Sequence, residues 1–496
     1  MYKIRQIKYS SNSISIQVYK IEERRRKIVR HIGTARNEQE KLNLLSIAQD
    51  FIDKASKQLI LFHNDSSNKY FNVEQTKLIG VYYSFLHELI SKIIIVIGFD
   101  KIKNNLLFDL VIIRMVDPAS KLRSIDLIYE YFGIKHRRQN YYQFASLCHE
   151  LKSKAEAISL RFANQHYGFH FDILFYDVTT LYFESFQEDE LRKNGFSKDN
   201  KSQQPQILIA LMVTREGFPI SYEVFEGSVF EGHTIIPVLK KFIAKNKVKE
   251  FTVVADAAML SVDNILDLKK NKINYIVGAR LGNLSHELIN QIDKKLARED
   301  GKDIRLKTDN GYLICSFSSL RYRKDKHEVE KQIERAKFIV KNPSKNKKLK
   351  FTKSNGQKIE LNQKLIDKTK KLLGIKGYYT DLEETKIDNK TIMSRYHELY
   401  KIEQAFRISK NDLQTRPIFH FKEEPIKLHV LICFMALVIS KHTELQTKSS
   451  IRKFIHECKK VTDARLKNKI TDHEIRIRSE ISPVIQGYLK KLSLLT

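Results

Sequence analysis

The 496-residue sequence has four cysteines and no tryptophan, and its cysteine usage excludes several classes of protein. The four cysteines lie far apart and form no Cys-x-x-Cys pair, so neither a zinc ribbon nor a redox dithiol is indicated. So few cysteines in so long a chain also argue against a secreted fold built on disulfides. The first residues, MYKIRQIKYSSNS, lack the apolar segment that a signal peptide needs.

Long apolar runs are scarce as well. The longest, LHVLICFMALVIS from Leu428 to Ser440, is too short to cross a bilayer. We therefore expect a protein of the cytoplasm with no membrane partner.

Basic residues outnumber acidic ones. The chain has 88 Lys and Arg and 58 Asp and Glu, which gives a formal net charge of +30. A chain so basic repels itself when compact, so its excess charge indicates a polyanionic partner, most commonly a phosphate backbone. A compositional bias towards Lys is the alternative, but it does not by itself explain so large an excess over the acids. The hydrophobic share of 42% is enough for globular packing, and the length predicts two or more domains.

The spacing of apolar residues divides the chain into segments. Residues 1–36 alternate as strands do and predict a small β-hairpin unit. Residues 37–165 have apolar residues at helical spacing and basic residues that include Arg114 and Lys121, which predicts a helical DNA-binding domain. A helical packing domain with a solvated charged face is the alternative for this segment. Residues 441–496 predict a helical, basic C-terminal region.

Residues 170–440 combine strand patterns with helical ones. The runs FDILFYDVTTLYFES, QILIALMV and FPISYEVFEG predict three strands in a meander. The runs HTIIPVLKKFIAKN, FTVVADAAM, SVDNILDLKKN and YIVGARL then predict a helix, a strand, a helix and a strand. This β-β-β-α-β-α-β order is that of an RNase H-like α/β domain. A basic and polar stretch at about 282–372 interrupts the alternation and predicts an inserted subdomain of short strands and helices.

Two aspartates lie in otherwise apolar strands, Asp177 in FYDVTTLYF and Asp256 in TVVADAAML. An acid inside such a strand is costly unless it is paired or binds a cation. In a sheet of this order the first and fourth strands are neighbours, so we expect the two carboxylates to face each other across a divalent ion. Glu403, on a later helix that we expect at the same edge, is the third candidate ligand. Strand-end caps for the aspartates and a solvated helix acid for Glu403 are the alternatives.

Three carboxylates of this kind suit two-metal phosphoryl transfer, in which ions about 3.5–4 Å apart activate the attacking oxygen and stabilise the leaving one. Hard oxygen ligands suit Mg²⁺. Tyr396, Glu403 and Lys410 recur every seven residues in NKTIMSRYHELYKIEQAFRISKNDL, so we expect one long helix with these three on one face, against a DNA backbone.

At these residues the sequence resembles the DDE transposases of bacterial insertion sequences, in the branch with a Tyr-Arg-Glu-Lys signature. The resemblance is carried by YDVTTLYFES, the stretch from GFSKDN to FEGHT, VVADAAMLS, YHELYKIEQAFRISKNDLQTRPIFHF and HVLICFMAL, and RMVDPASK is similar too. It implies an RNase H-like catalytic domain with a β-rich insertion at 282–372 that contributes to DNA contact. It also implies that Asp177, Asp256 and Glu403 hold the catalytic metal ions, Mg²⁺ with Mn²⁺ as a substitute.

Tyr396, Glu403 and Lys410 match the signature, but Leu399 occupies the Arg position. In the family this Arg and the Tyr help to grip the phosphate near the cut end, and Arg407, one turn past Glu403, is a candidate replacement. The family is also associated with hairpin ends, sometimes helped by a flipped base that stacks on Trp. This chain has no Trp, so a Tyr or Phe would have to serve, and hairpin formation stays open.

The sequence therefore predicts a transposase that binds terminal inverted repeats, pairs the ends as a homodimer, cleaves them and joins them to target DNA in the nucleoid. The predicted DNA-binding residues are Tyr396, Lys410, Arg407, Arg114 and Lys121. Two rivals stay open. One is an RNase H-like nuclease without strand transfer, and the other is a DNA-binding derivative that has lost catalysis.

Overall fold

The computed structural model describes residues 2–10, 13–22, 25–55, 76–197, 201, 203–248, 250–259, 261–342, 349–355, 358–469 and 474–494. The chain forms two compact units. The first comprises Met1–Glu88, Glu130–Gly133 and His456–Gln486, and the second comprises Leu89–Tyr129, Ile134–Ile455 and Gly487–Thr496.

The strands, in chain order, are β1 (Tyr2–Lys8), β2 (Ile14–Glu22), β3 (Arg25–Ala35), β4 (Thr76–Tyr82), β5 (Ile173–Tyr182), β6 (Gln206–Val213), β7 (Pro219–Glu226), β8 (Thr252–Ala255), β9 (Asn274–Ala279), β10 (Asp303–Thr308), β11 (Gly311–Phe317), β12 (Thr352–Asn355), β13 (Lys358–Leu361), β14 (Ile375–Thr380), β15 (Asp463–Asn468) and β16 (Glu474–Arg478).

The helices are α1 (Glu38–Ala55), α2 (Ser84–Ile97), α3 (Asn105–Val116), α4 (Lys121–Phe132), α5 (Arg138–Ala145), α6 (Cys148–Tyr167), α7 (Ile235–Asn246), α8 (Val262–Lys270), α9 (His286–Lys295), α10 (Ser319–Lys341), α11 (Gln363–Lys371), α12 (Asn389–His397), α13 (Tyr400–Arg407), α14 (Glu423–Thr447), α15 (Ile451–Lys459) and α16 (Pro483–Lys491).

The N-terminal sheet of the first unit has three antiparallel strands, β1, β2 and β3, and α1 packs against them. Ile16 and Val18 of β2, Ile32 of β3 and Leu44 and Ala48 of α1 form its buried core. The prediction of a hairpin for residues 1–36 was one strand short. The first half of β3 carries exposed, mostly basic side chains, as edge strands often do, and these hide its apolar alternation.

A second three-stranded sheet of the first unit, in the order β16-β15-β4, joins segments far apart in sequence. The helices α2 to α6 agree with the helical prediction for 37–165, but β4 interrupts them, and β15 and β16 interrupt the helices predicted for 441–496. The strands β4 and β15 come from distant parts of the chain and pair with each other, which the local spacing of apolar residues does not reveal, and β16 pairs with β15. Residues 56–75 of the predicted helical segment lie outside the described residues.

The second unit is built on a mixed sheet of eight strands in the order β10-β11-β14-β9-β8-β5-β6-β7. The strands β5, β6 and β7 pair antiparallel, whereas β8 pairs parallel with both β5 and β9. With α7 and α8 between the later strands, this is the β-β-β-α-β-α-β order of an RNase H-like α/β fold, and the fold class is confirmed. All eight residues of β6 are buried, which explains its uninterrupted apolar sequence.

The predicted insertion at about 282–372 contains four strands, β10 to β13. Its strands β10 and β11, with β14 just beyond it, extend the central sheet, and β12 and β13 form a hairpin of their own. The helices α9, α10 and α11 lie among them. The 23-residue α10 buries Val329 and Ala336, so its sequence shows charge rather than an apolar stripe. Residues 343–348 and 356–357 lie outside the described residues.

The 25-residue helix α14 is long and apolar enough, by length and composition, to cross a membrane, but 94% of its apolar window is buried inside the protein. It packs against α3, α6 and β7, and the Phe434 ring lies 4.9 Å from the Tyr222 ring. This burial makes α14 a core helix of the second unit.

Candidate active site

The pairing of β5 with β8 brings two acidic side chains level with each other. The parallel register ends with Tyr176 opposite Ala255, and Asp177 and Asp256 are the next residues of the two strands. Asp256 follows the end of β8, as expected. Asp177, by contrast, lies inside β5 rather than at its end, because β5 continues to pair with β6 as far as Tyr182.

The two aspartates have different surroundings. Asp177 is half-buried, and its Oδ1 accepts a hydrogen bond of 2.7 Å from the backbone N–H of Val178. Asp256 is exposed, and its Oδ1 accepts one of 2.6 Å from the N–H of Ala257 and one of 3.3 Å from the hydroxyl of Tyr396. The carboxylate of Asp256 is therefore oriented by its own turn and by a residue of α12.

Tyr396 is held in a close-fitting position. Its side chain is 9% exposed, and its ring packs edge-on against Tyr378 with centroids 4.9 Å apart. A Cβ atom on Gly278 of β9 would lie 2.5 Å from the Tyr396 hydroxyl, so only glycine leaves room for it there. Burial, together with the nearby charge of Asp256, raises the pKa of Tyr396, so the phenol stays protonated and can donate.

The helix that carries the signature residues is interrupted, which corrects the prediction of one long helix with Tyr396, Glu403 and Lys410 on one face. Between α12 and α13, Glu398 and Leu399 keep right-handed dihedrals, but the N–H of Leu399 bonds the carbonyl of Tyr396, three residues back. After α13 the chain forms a π turn at Ile408–Asp412, which contains Lys410. Both changes alter the number of residues per turn, so seven-residue spacing no longer fixes a common face.

An ion pair fixes the interruption. Arg215, in the turn between β6 and β7, donates to both carboxylate oxygens of Glu398, from Nε at 2.9 Å and from Nη2 at 3.0 Å. Next to it, Gly217 has a φ of +79°, and a Cβ there would lie 3.1 Å from that of Lys401. The turn between β6 and β7 therefore lies directly against the start of α13, which also packs on β5 and β6.

Glu403 lies on the exposed side of α13, opposite the buried Ile402 and Phe406. Its charge and that of Asp256 both act on Lys376 of β14, where they oppose a fall in the Lys376 pKa that burial and Arg321 cause. The negative charges of both carboxylates thus favour the protonated form of Lys376.

Lys376 is a site residue that the sequence did not reveal. Its Nζ lies 4.8 Å from the centre of the Tyr396 ring, the same ring whose hydroxyl bonds Asp256. Lys376 is the one residue of β14 that is not fully buried, so a single Lys in an apolar strand was the available signal. Only the pairing of β14 with β9 shows which acidic side chains lie near Lys376.

The three carboxylates supply the donor chemistry of a metal site. Asp177, Asp256 and Glu403 offer hard oxygen donors, which is the chemistry that Mg²⁺ requires. Among the described residues, however, no three His, Cys, Asp or Glu side chains lie close enough together to hold a metal ion. The two aspartates and Glu403 therefore fit the ion by the chemistry of their donors, without forming a three-ligand site.

The other predicted DNA-binding residues fall into two groups. Lys410 is half-buried in the π turn, and Arg407 is exposed and borders an open cavity of about 530 Å³. Arg114 and Lys121 border a different cavity, whose lining includes none of the three carboxylates. The guanidinium of Arg114 is buried, with 7% of the residue exposed. The structure therefore does not gather the predicted DNA-binding residues into one surface.

Comparison with known proteins identifies a family that a long segment of the chain matches. Residues 169–439, more than half of the chain, match the Transposase DDE domain family, and this segment contains all three carboxylates. No curated protein matches the sequence. A solved structure to which the chain is similar is the cryo-EM structure of a piggyBac transposase synaptic complex with hairpin DNA. It is 11% identical, the match covers 83% of this chain and 75% of that chain, and the TM-score is 0.38.

Proposed function

The chain belongs to the Transposase DDE domain family, and on this premise we propose that it is a cut-and-paste transposase of the insertion-sequence branch with the Tyr-Arg-Glu-Lys signature. It binds the terminal inverted repeats as a homodimer on paired ends, cleaves the ends and joins them to target DNA in the nucleoid. The observation that carries the proposal is the parallel register of β5 and β8, which sets Asp177 level with Asp256 inside the matched segment.

In this proposal Asp177, Asp256 and Glu403 hold Mg²⁺, with Mn²⁺ as a substitute. When bound, the metal ions activate a water or 3′-hydroxyl and stabilise the leaving oxygen of an in-line phosphoryl displacement. The phenol of Tyr396 orients Asp256 through the bond to Oδ1. Because burial and the acid raise the pKa of this phenol, it acts as a donor and not as a base at neutral pH.

Lys376 contributes a positive charge beside the reacting phosphate. Its ammonium is within electrostatic reach of both Asp256 and Glu403, and a phosphodiester held at these acids would meet this positive charge. The lysine partly offsets the repulsion between the acids before metal ions bind, and it attracts the phosphate afterwards.

The residues that contact the phosphate differ from those of the Tyr-Arg-Glu-Lys signature. Leu399, in the Arg position, is buried and apolar, so it makes no ionic contact with DNA. Arg407 is exposed one turn beyond Glu403, and Lys410 follows in the π turn. We assign the contact with the DNA end to Arg407 and Lys410, together with Tyr396.

The test is a cleavage and joining assay. Labelled duplexes that carry the inverted repeats flanking the gene are incubated with Mg²⁺ and a supercoiled target. Asp177→Asn, Asp256→Asn and Glu403→Gln should each lower the cleavage rate by roughly 10³-fold, or about 4 kcal/mol, while DNA binding in EDTA persists. Glu384→Gln, which removes an exposed acid outside the site, is the matched control and should cleave normally.

Two results would overturn the proposal. Cleavage by the wild-type protein without any joined product indicates a nuclease that lacks strand transfer. Binding without cleavage indicates a DNA-binding derivative that has lost catalysis.

A further inference from the structure

A cavity of about 120 Å³ in the second unit is lined by basic side chains from three separate stretches of sequence. Arg114 lies in the last turn of α3, and Lys121 begins α4. Arg416 and His420 lie in the loop after the π turn, and His429 belongs to α14. We call it the cationic cavity. Among the described residues that line it there is no Asp or Glu.

The partners of the two N-terminal cations are neutral. The Nη2 of Arg114 donates to the backbone carbonyl of Ala119 at 2.8 Å. The Nζ of Lys121 donates to the Tyr142 hydroxyl at 2.6 Å and lies 4.9 Å from the centre of the Tyr141 ring. Carbonyls and phenols orient these cations without cancelling their charge, so both remain available to an anion.

Two buried histidines complete the polar lining of the cavity. His420 stacks on Tyr141 and lies 5.5 Å from His429, ring to ring. Burial, with smaller contributions from His429, Lys121 and Arg114, lowers the pKa of His420 to about 3. Burial together with Arg114 lowers the pKa of His429 to about 3. Both rings are therefore neutral at pH 7, and the Nε2 of His429 donates to the carbonyl of Thr415 at 3.0 Å.

The cavity has the size and chemistry for a polyatomic anion. A single water needs about 10–15 Å³, so about 120 Å³ exceeds the needs of a few bridging waters. Two arginines and one lysine line it, and guanidinium and ammonium groups recognise phosphate oxygens well.

We propose that the cationic cavity binds a phosphate group of the DNA backbone, a site separate from the three carboxylates. The proposal rests on the proposed transposase function, since it supplies the DNA. It extends that function by naming a second anchoring point.

The place of the cavity in the fold sets it apart from the three carboxylates. The N–H of Ile418, next to the cavity loop, donates to the carbonyl of Tyr182 at 3.3 Å, and Ile418 forms a β-bridge with Phe183. The loop is thus attached to the far end of β5, where Tyr182 is five residues past Asp177.

The main test measures DNA affinity against salt. A fluorescent duplex of about 30 base pairs carrying the flanking repeat is titrated with full-length protein in EDTA, where no cleavage occurs. Arg416→Gln and Lys121→Gln should each weaken binding and each reduce the slope of log K against log salt by about 0.9. Arg161→Gln removes an exposed arginine of α6 outside the cavity and is the matched control, with the wild-type slope expected. Slopes equal to wild type in both cavity variants would overturn the proposal.

Two further arms keep the outcome interpretable. Lys121→Arg keeps the charge and should keep the slope. A reduced slope in Lys121→Gln that Lys121→Arg does not show therefore reflects the lost charge and not a folding defect. In the second arm, the wild-type protein is heated in inorganic phosphate and in chloride at equal ionic strength. Stabilisation by phosphate that Arg416→Gln abolishes, with unchanged DNA slopes, identifies a site for free phosphate and overturns the DNA proposal.

These results are separable from the proposed function. Altered slopes in a protein that never joins DNA ends support the cavity and refute the transposase. Normal joining of DNA ends with unaltered salt slopes supports the transposase and refutes the cavity proposal.

Discussion

Gly278→Ala should disturb the candidate active site through one close contact. The added Cβ would lie 2.5 Å from the Tyr396 hydroxyl and 3.2 Å from its Cζ. Tyr396 is buried against Tyr378 and is held by α12, so its hydroxyl has little room to move aside. We expect the phenol to shift and its 3.3 Å hydrogen bond to Asp256 to break.

The magnitude follows from two contributions. Overpacking of a well-filled interior costs about 1–3 kcal/mol. The lost hydrogen bond adds no more than about 1 kcal/mol, because it is long and its acceptor Asp256 is exposed. Gly278→Ala should therefore destabilise the second unit by about 1–4 kcal/mol and Tyr396→Phe by up to about 1 kcal/mol.

The double variant provides the sharper test. Tyr396→Phe removes the atom at 2.5 Å. It leaves the ring carbon of residue 396 and the Cβ of Ala257, each at 3.2 Å, contacts that a shift of a few tenths of an ångström accommodates. The double variant Gly278→Ala, Tyr396→Phe should thus lose less unfolding free energy than the two single variants lose together, by about 1–2 kcal/mol.

The assay is urea unfolding of all four proteins, with DNA cleavage as the second reading. Gly282→Ala is the control, because nothing lies within 4 Å of the Cβ it would add. Cleavage by Gly278→Ala should fall while DNA binding in EDTA is unchanged, since Asp256 loses its orienting donor. Strictly additive free energies would refute the reasoning, because they would mean that the new methyl group does not meet the phenol.

The sheet and the two aspartates could be predicted because their sequence signal is local. Strands buried on both faces, such as β6, are continuous apolar runs, and an acid inside such a run is conspicuous. The strand order then follows from the alternation of strands and helices, and it makes β5 and β8 neighbours. Asp177 and Asp256 needed no further information to be placed side by side.

The remainder of the site depends on contacts between distant parts of the chain. The break before α13 is held by Arg215 and Glu398, 183 residues apart, so seven-residue spacing could not predict it. Lys376 lies within electrostatic reach of the acids because β14 pairs with β9, a pairing set by the topology of the insertion. Helical spacing describes an undisturbed helix, and tertiary contacts decide where a helix stops.

Three more changes test other parts of the second unit. Arg215→Lys keeps the charge but loses the two-point contact with Glu398, so the cleavage rate should fall several-fold while unfolding changes by less than about 1 kcal/mol, because the pair is partly exposed. Lys376→Met removes the cation beside Asp256, so a Mg²⁺-dependent thermal shift should require several-fold less metal while cleavage slows. His429→Gln should flatten the loss of stability on acidification, measured by urea unfolding from pH 6.5 to pH 4.

The direction of this pH effect follows from the lowered pKa of His429. The pKa is about 6.5 in the unfolded chain and about 3 in the buried site, so between these values the unfolded chain holds a proton that the folded protein does not. Its contribution to stability is therefore complete above pH 6.5 and falls by about 1.4 kcal/mol per pH unit as the pH drops towards 3. His429→Gln removes that slope. Replacing the exposed His149 by Gln is the control and should leave the slope unchanged. Parallel curves for wild type and His429→Gln would show that the imidazole is not kept neutral by its burial beside Arg114.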